Sequence, residues 1–177
     1  MGALIRIVPV LLLAVAVSWP ARAQQAVSEY AVKSALLFKL PQFVYRPGGE
    51  DDPTIEICLL GRNPFGGAFE RLAQMPINGR PVQLFSLGSA AEAGRCDFVF
   101  VARSEADELN GVLRRLAAHP VVTVSDIPGF ARAGGMVEFA LGGEGAAIAI
   151  LLNRRAANTW RIAFNAQLLR LARVVEP

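Results

Sequence analysis

Ser125 and Asp126, following His119 by six and seven residues, form the grouping whose types come nearest to nucleophilic catalysis. A serine hydroxyl, a histidine base and an orienting carboxylate together carry acyl transfer. Their context argues against it. Ser125 lies in Val124-Ser125-Asp126 rather than in a Gly-x-Ser-x-Gly elbow, and His119 would have to fold back across Pro120 and an intervening strand. His119 is the chain's single histidine and stands at a helix terminus, where a capping or surface role suits it. No second His or Cys stands close enough in sequence to suggest a metal site. Asp126 and Glu138 are the next candidate pair, but Glu138 falls inside a strand pattern with no flanking acid for glycoside chemistry. The expectation is a binding protein with no catalytic residue, metal or cofactor; a hydrolase using Ser125 or Asp126 is the weakest alternative.

The binding candidates centre on Val121-Val122-Thr123-Val124-Ser125-Asp126-Ile127-Pro128-Gly129-Phe130-Ala131 and the following Gly134-Gly135-Met136. The β-branched run reads as a buried strand that stops at Ser-Asp and turns at Pro-Gly. In an open α/β sheet, ligands sit at the carboxyl ends of the strands. Asp126 is placed there, most simply as the cap of the turn around Ile127 to Ala131. Gly61 to Gly67 follows another strand, but it has neither G-x-G-x-x-G nor the Lys-Ser/Thr of a P-loop. A helix N-terminus with Arg62 beside it still suits an anion, with an ordinary strand-to-helix turn as the simpler reading. The candidate ligand or partner surface is Arg62, Asn63, Asp126, Phe130, Gly134 and Gly135.

The elements that position these residues alternate. A helix is expected from Ser28 to Val44, with Tyr30, Leu37 and Val44 on one face, Glu29, Lys33 and Gln42 pointing elsewhere, and Pro41 ending or kinking it near Leu40. Its aromatic content suits the core or, alternatively, a partner or dimer face. Strands follow at Thr54–Leu60, Val82–Phe85 and Cys96–Ala102. Asn63 as N-cap and Pro64 at the first helical position predict a helix carrying Phe65, Phe69 and Leu72. Asn78-Gly79 predicts a tight turn, Ser89 a cap, and Ser104 to Leu116 a helix with acids first and Arg114-Arg115 towards its end. Met136–Ala140 and Ala147–Leu152 read as a hairpin, and Gln167–Val174 as a terminal helix. Strand-helix alternation from Thr54 to Val124 predicts βαβ units and a mainly parallel sheet.

Residues 1–23 read as a leader: Arg6, an apolar run from Val8 to Trp19, and Ala21-Arg22-Ala23 as the cleavage site. The run is short for a bilayer span, which takes about 20 residues. The expected mature chain is an exported domain of residues 24–177. Losing Arg6 and Arg22 leaves 16 basic residues of the original 18 against 15 acids, so the mature charge is +1. That near-neutrality carries no footprint for nucleic acid. Cys58 and Cys96 are the only cysteines. An even count in an exported chain favours a disulfide, with two buried thiols as the alternative.

Taken in order, Gly61-Arg62-Asn63-Pro64-Phe65, Cys96-Asp97-Phe98-Val99-Phe100-Val101, Thr123-Val124-Ser125-Asp126 with Gly129-Phe130-Ala131 and Gly134-Gly135-Met136, Asn153, and Gln167-Leu168-Leu169-Arg170-Leu171-Ala172 resemble the YfiR-like family, the DUF4154 domain. The Val-Ser-Asp…Gly-Phe-Ala…Gly-Gly-Met run is the specific part. The resemblance implies a three-layer, Rossmann-like α/β fold: an open, mainly parallel sheet to which the expected C-terminal antiparallel hairpin belongs. It implies a periplasmic regulator, tending to dimerise, that represses an inner-membrane diguanylate cyclase or related sensor through its periplasmic region. Such a repressor lowers cyclic di-GMP and biofilm formation, and an outer-membrane lipoprotein can sequester it. This chain departs from the family pattern at Phe164-Asn165, where Ser-Ser is usual, and in having one cysteine pair. A periplasmic small-molecule-binding sensor module is the second reading.

Overall fold

Ile55–Leu60 (β2), Phe98–Val101 (β4) and Val122–Ser125 (β5) are built almost wholly from residues that tolerate burial on both faces. In a computed structural model that describes residues 21–49, 52–142 and 147–176, they form the middle of a seven-stranded sheet. Val82–Leu87 (β3) lies outside β2, and Val137–Leu141 (β6), Ile148–Leu152 (β7) and Arg173–Val174 (β9) extend the other side, giving the order β3-β2-β4-β5-β6-β7-β9. Every junction is parallel except the antiparallel β6–β7 hairpin. A separate antiparallel pair joins Val44–Tyr45 (β1) to Ala163–Phe164 (β8).

Alternation along each strand sends side chains to two cores. Ile55, Ile57 and Leu59 of β2 and Phe98 and Phe100 of β4 join one cluster. There they meet Leu37 and Phe38 of Ala21–Lys39 (α1), Phe69 of Gly67–Ala73 (α2), Ala157 of Arg154–Asn158 (α4) and Leu168 of Ala166–Leu171 (α5). Cys58, Leu60, Val99 and Val101 face the other way, onto Val112, Leu113 and Leu116 of Leu109–Leu116 (α3) and the 3-10 turn Ala90–Arg95. Helix, sheet and helix make three layers, as expected, with the hairpin at β6–β7. Its tip, residues 143–146, lies outside the described residues, as do residues 1–20 of the expected leader. Among the described residues no helix is long and apolar enough to cross a membrane.

Cys58 and Cys96 are bridged, their Cα atoms 6.0 Å apart and both side chains buried. The bond ties the middle of β2 to the entry of β4. Asn78 and Gly79 take φ of 51° and 80°, the left-handed pair that a two-residue reversal requires. Ser89 caps its turn as expected, accepting from the Ala91 amide.

Several local expectations need correction: the α-helix expected from Ser104 begins only at Leu109, after a 3-10 turn over Arg103–Glu108, and the one expected from Ser28 already runs from Ala21. The helix expected from Asn63-Pro64 begins later, at Gly67, because the Asn63 side chain accepts from the Phe65 amide and closes a tight local turn instead. The first helix ends at Lys39, a 3-10 turn spans Leu40–Gln42, and Val44–Tyr45 become β1 rather than helix. The terminal helix stops at Leu171, and Arg173–Val174 turn into a strand beside β7. Lys33, assigned away from the core, is wholly buried.

Candidate functional site

Lys33 is the key to the site. It stands at helical spacing with Leu37 and Leu40, inside the buried stripe of α1, and its stem packs as an apolar residue would. A buried ammonium needs a counter-charge. Asp126, the first residue past β5, supplies it: Lys33 Nζ lies 2.7 Å from Asp126 Oδ2, with both side chains at 0% exposure. Tyr30 Oη, one turn earlier on α1, donates to the same oxygen at 3.0 Å. Arg103, just past β4, brings Nε to 3.0 Å from Oδ2 and also donates to the Asp126 carbonyl. Glu29 pairs with Lys33 along the helix and lies 4.0 Å from Arg103 Nη2. Two cations thus face two carboxylates.

The electrostatics follow from burial. The Tyr30 phenol is pushed up to about 12, chiefly by desolvation and then by the negative charge and hydrogen bond of Asp126. Asp126 Oδ2 is shared by Lys33, Tyr30 and Arg103. Oδ1 of the same group is buried without a hydrogen-bond partner among the described residues. Geometrically this is a latch between α1 and the carboxyl edge of the sheet.

Asp126 is therefore not the cap of its own turn, as the sequence suggested. Ser125 takes that role: its hydroxyl accepts from the Ile127 amide at 3.0 Å and donates to the Val101 carbonyl at 2.7 Å. Glu138, its neighbour across the β5–β6 ladder, accepts from the amides of Gly129 and Ala131, both at 3.0 Å. Asn153 donates to the Ala131 carbonyl while capping α4, and Thr123 Oγ1 accepts from Met136. These buried polar groups fix the turn and so aim Asp126 at Lys33.

Ser125 is wholly buried and His119 lies beyond the opposite end of β5 beside Gly94, so the two do not meet. Glu138 is spent on backbone amides. Among the described residues no cluster of His, Cys, Asp or Glu has the makings of a metal site.

The six expected surface residues separate. Arg62 and Asn63 line an open cleft with Pro64, Arg103 and Ser104, at the carboxyl ends of β2 and β4. Asp126 touches that cleft only through Arg103. Phe130 is buried in the α3-side core, and a Cβ on Gly135 would strike its ring, so that glycine serves packing. Gly134, at φ 113°, opens on a different hollow with Leu113, Met136 and Trp160. Lys33, Tyr30, Glu29 and Arg103 were missed. A lysine in register with Leu37 and Leu40 is the signal that would have found the first of them.

A family model for DUF4154, described as YfiR/HmsC-like, matches residues 30–173. No curated protein matches significantly. Among solved structures, a conserved domain protein from Vibrio cholerae O1 biovar El Tor superposes with a TM-score of 0.58 at 9% identity, over 84% of this chain and 60% of that one. An ABC domain from Streptococcus pneumoniae, solved in complex with L-Trp, gives 0.54 at 13% identity, over 83% and 60%. At such identities the likeness is one of fold, and this chain spans about 60% of either structure.

Proposed function

This chain belongs to the YfiR/HmsC-like family, and from that premise we propose that it represses an inner-membrane diguanylate cyclase, or a related sensor, by binding its periplasmic region. The family is one of periplasmic regulators of cyclic di-GMP signalling. The observation that carries the reading is the match over residues 30–173, which runs from Tyr30 of the latch to β9. In this account residues 1–23 direct export, residues 24–177 form the working domain, and an outer-membrane lipoprotein or self-association as a homodimer controls how much repressor is free. The chain does no chemistry on its partner, in keeping with a site whose charges are locked together. Deleting the gene should raise cellular cyclic di-GMP and surface attachment, and re-expressing the exported chain should restore both. Unchanged cyclic di-GMP in the deletion strain overturns the proposal.

A second reading, a sensor that also binds a small molecule, is favoured by one observation: the Arg62–Arg103 cleft at the carboxyl edge of the sheet. The two readings are compatible, since a ligand that favours one state of a repressor shifts its partner binding. A thermal shift with a metabolite panel tests it, and no shift across the panel counts against it.

A further inference from the structure

We propose that this cleft binds a small oxyanion, a carboxylate or phosphate group, between the guanidinium groups of Arg62 and Arg103. The inference rests on the ligand-binding reading and names its site and chemistry.

The topology makes the cleft. From β2 the chain runs through α2 to β3 on one side, then returns to β4 on the other side of β2. The α2 side chains join one core cluster and those of α3 the opposite one, so the loops leaving β2 and β4 part in opposite directions. Such a reversal of strand order opens a crevice at the carboxyl edge. Here each departing loop places an arginine in it, Arg62 after β2 and Arg103 after β4.

Arg62 is the freer of the two charges. Of the acids near the Arg62 loop, Glu70 accepts from Asn63 at 3.2 Å and Glu105 from the Ser104 hydroxyl at 3.0 Å. Among the described residues Arg62 forms no ion pair. Arg103 pairs through Nε with Asp126 and lies 4.0 Å through Nη2 from Glu29, yet its side chain is 46% exposed and lines the cleft. Ser104 Oγ also accepts from the Arg62 amide at 2.9 Å, so the two loops are fastened to each other before any ligand arrives. Two guanidinium forks held on opposed loops match the planar or tetrahedral oxygens of a carboxylate or phosphate.

The test uses the mature chain, with acetate and inorganic phosphate as probes and chloride at matched ionic strength as the control. Calorimetric titration and thermal shift should both detect binding of at least one probe. Arg62→Ala should weaken it tenfold or more, and Arg62→Lys should retain part of it. Arg62 is exposed and its structural bond is made by its backbone amide, so the Ala variant should melt as the wild type does without ligand. No binding of either anion, or binding undiminished in Arg62→Ala, overturns the site. A metabolite that stabilises wild type and Arg62→Ala equally leaves the sensor reading standing and places its ligand elsewhere. If neither anions nor metabolites bind, both fall.

Discussion

Lys33 Nζ and Asp126 Oδ2 lie 2.7 Å apart across 93 residues of sequence, and neither side chain reaches solvent. A lysine from the entering helix and an aspartate from the end of the fifth strand thus hold each other where neither alone is stable. The pair fixes α1 over the edge of the sheet.

Removing one partner leaves the other charged and buried. Lys33→Met should cost about 3–5 kcal/mol in urea unfolding, because Asp126 loses its one fully buried cation. Lys33→Met with Asp126→Leu should recover much of that loss. A single variant as stable as the wild type would mean that Arg103 alone satisfies Asp126.

Tyr30 reports on the same group. With Tyr45→Phe it becomes the only tyrosine, and its phenolate absorbance should titrate near 12 rather than near 10. The shift also sets a sign. A pKa raised in the folded state means that the unfolded chain releases the proton first. Tyr30 therefore supports stability fully below pH 10, and that support falls away as the pH climbs towards 12. Tyr30→Phe should flatten this decline and cost about 1–2 kcal/mol at neutral pH. A midpoint near 10 in a chain still folded by circular dichroism would contradict the burial of the phenol beside Asp126.

Glu138→Gln leaves one amide oxygen where two carboxylate oxygens received the amides of Gly129 and Ala131. A loss of about 2 kcal/mol is expected, with faster amide exchange at those two residues. Unchanged exchange there would show that the turn holds itself.

The bridge between Cys58 and Cys96 closes a separation of 38 residues. Cys58→Ala with Cys96→Ala should destabilise the chain by about 2–4 kcal/mol through a freer unfolded state. Both cysteines should resist alkylation until reductant and denaturant are present together, since both are buried.

Much of the sheet was legible because its signals are local. β2 and β4 are short apolar runs, Asn78-Gly79 is a turn dipeptide, and the β6–β7 hairpin sits between recognisable stops. What the sequence hid was non-local. Arg173 and Val174 look like the end of a helix until β7 offers a ladder to join. Asn63 was read as a helix cap, yet its side chain is satisfied within two residues, leaving the helix to start at Gly67. Asp126 reads in sequence as a turn cap; its partner lies 93 residues upstream in a helix where a lysine is ordinarily solvent-facing. The grouping of Arg62 with Phe130 and Gly135 failed for the same reason, since strand ends that look equivalent in sequence open onto different faces.

Repression of a membrane cyclase by contact requires that the two proteins bind. The direct measurement is capture with residues 24–177 as bait on detergent-solubilised inner membrane, identified by mass spectrometry. Such capture should recover a membrane protein carrying a diguanylate cyclase domain, or a related sensor, with binding retained by its isolated periplasmic region. Capture that recovers neither, from cells in which deletion and restoration of the gene leave cyclic di-GMP unchanged, would contradict it.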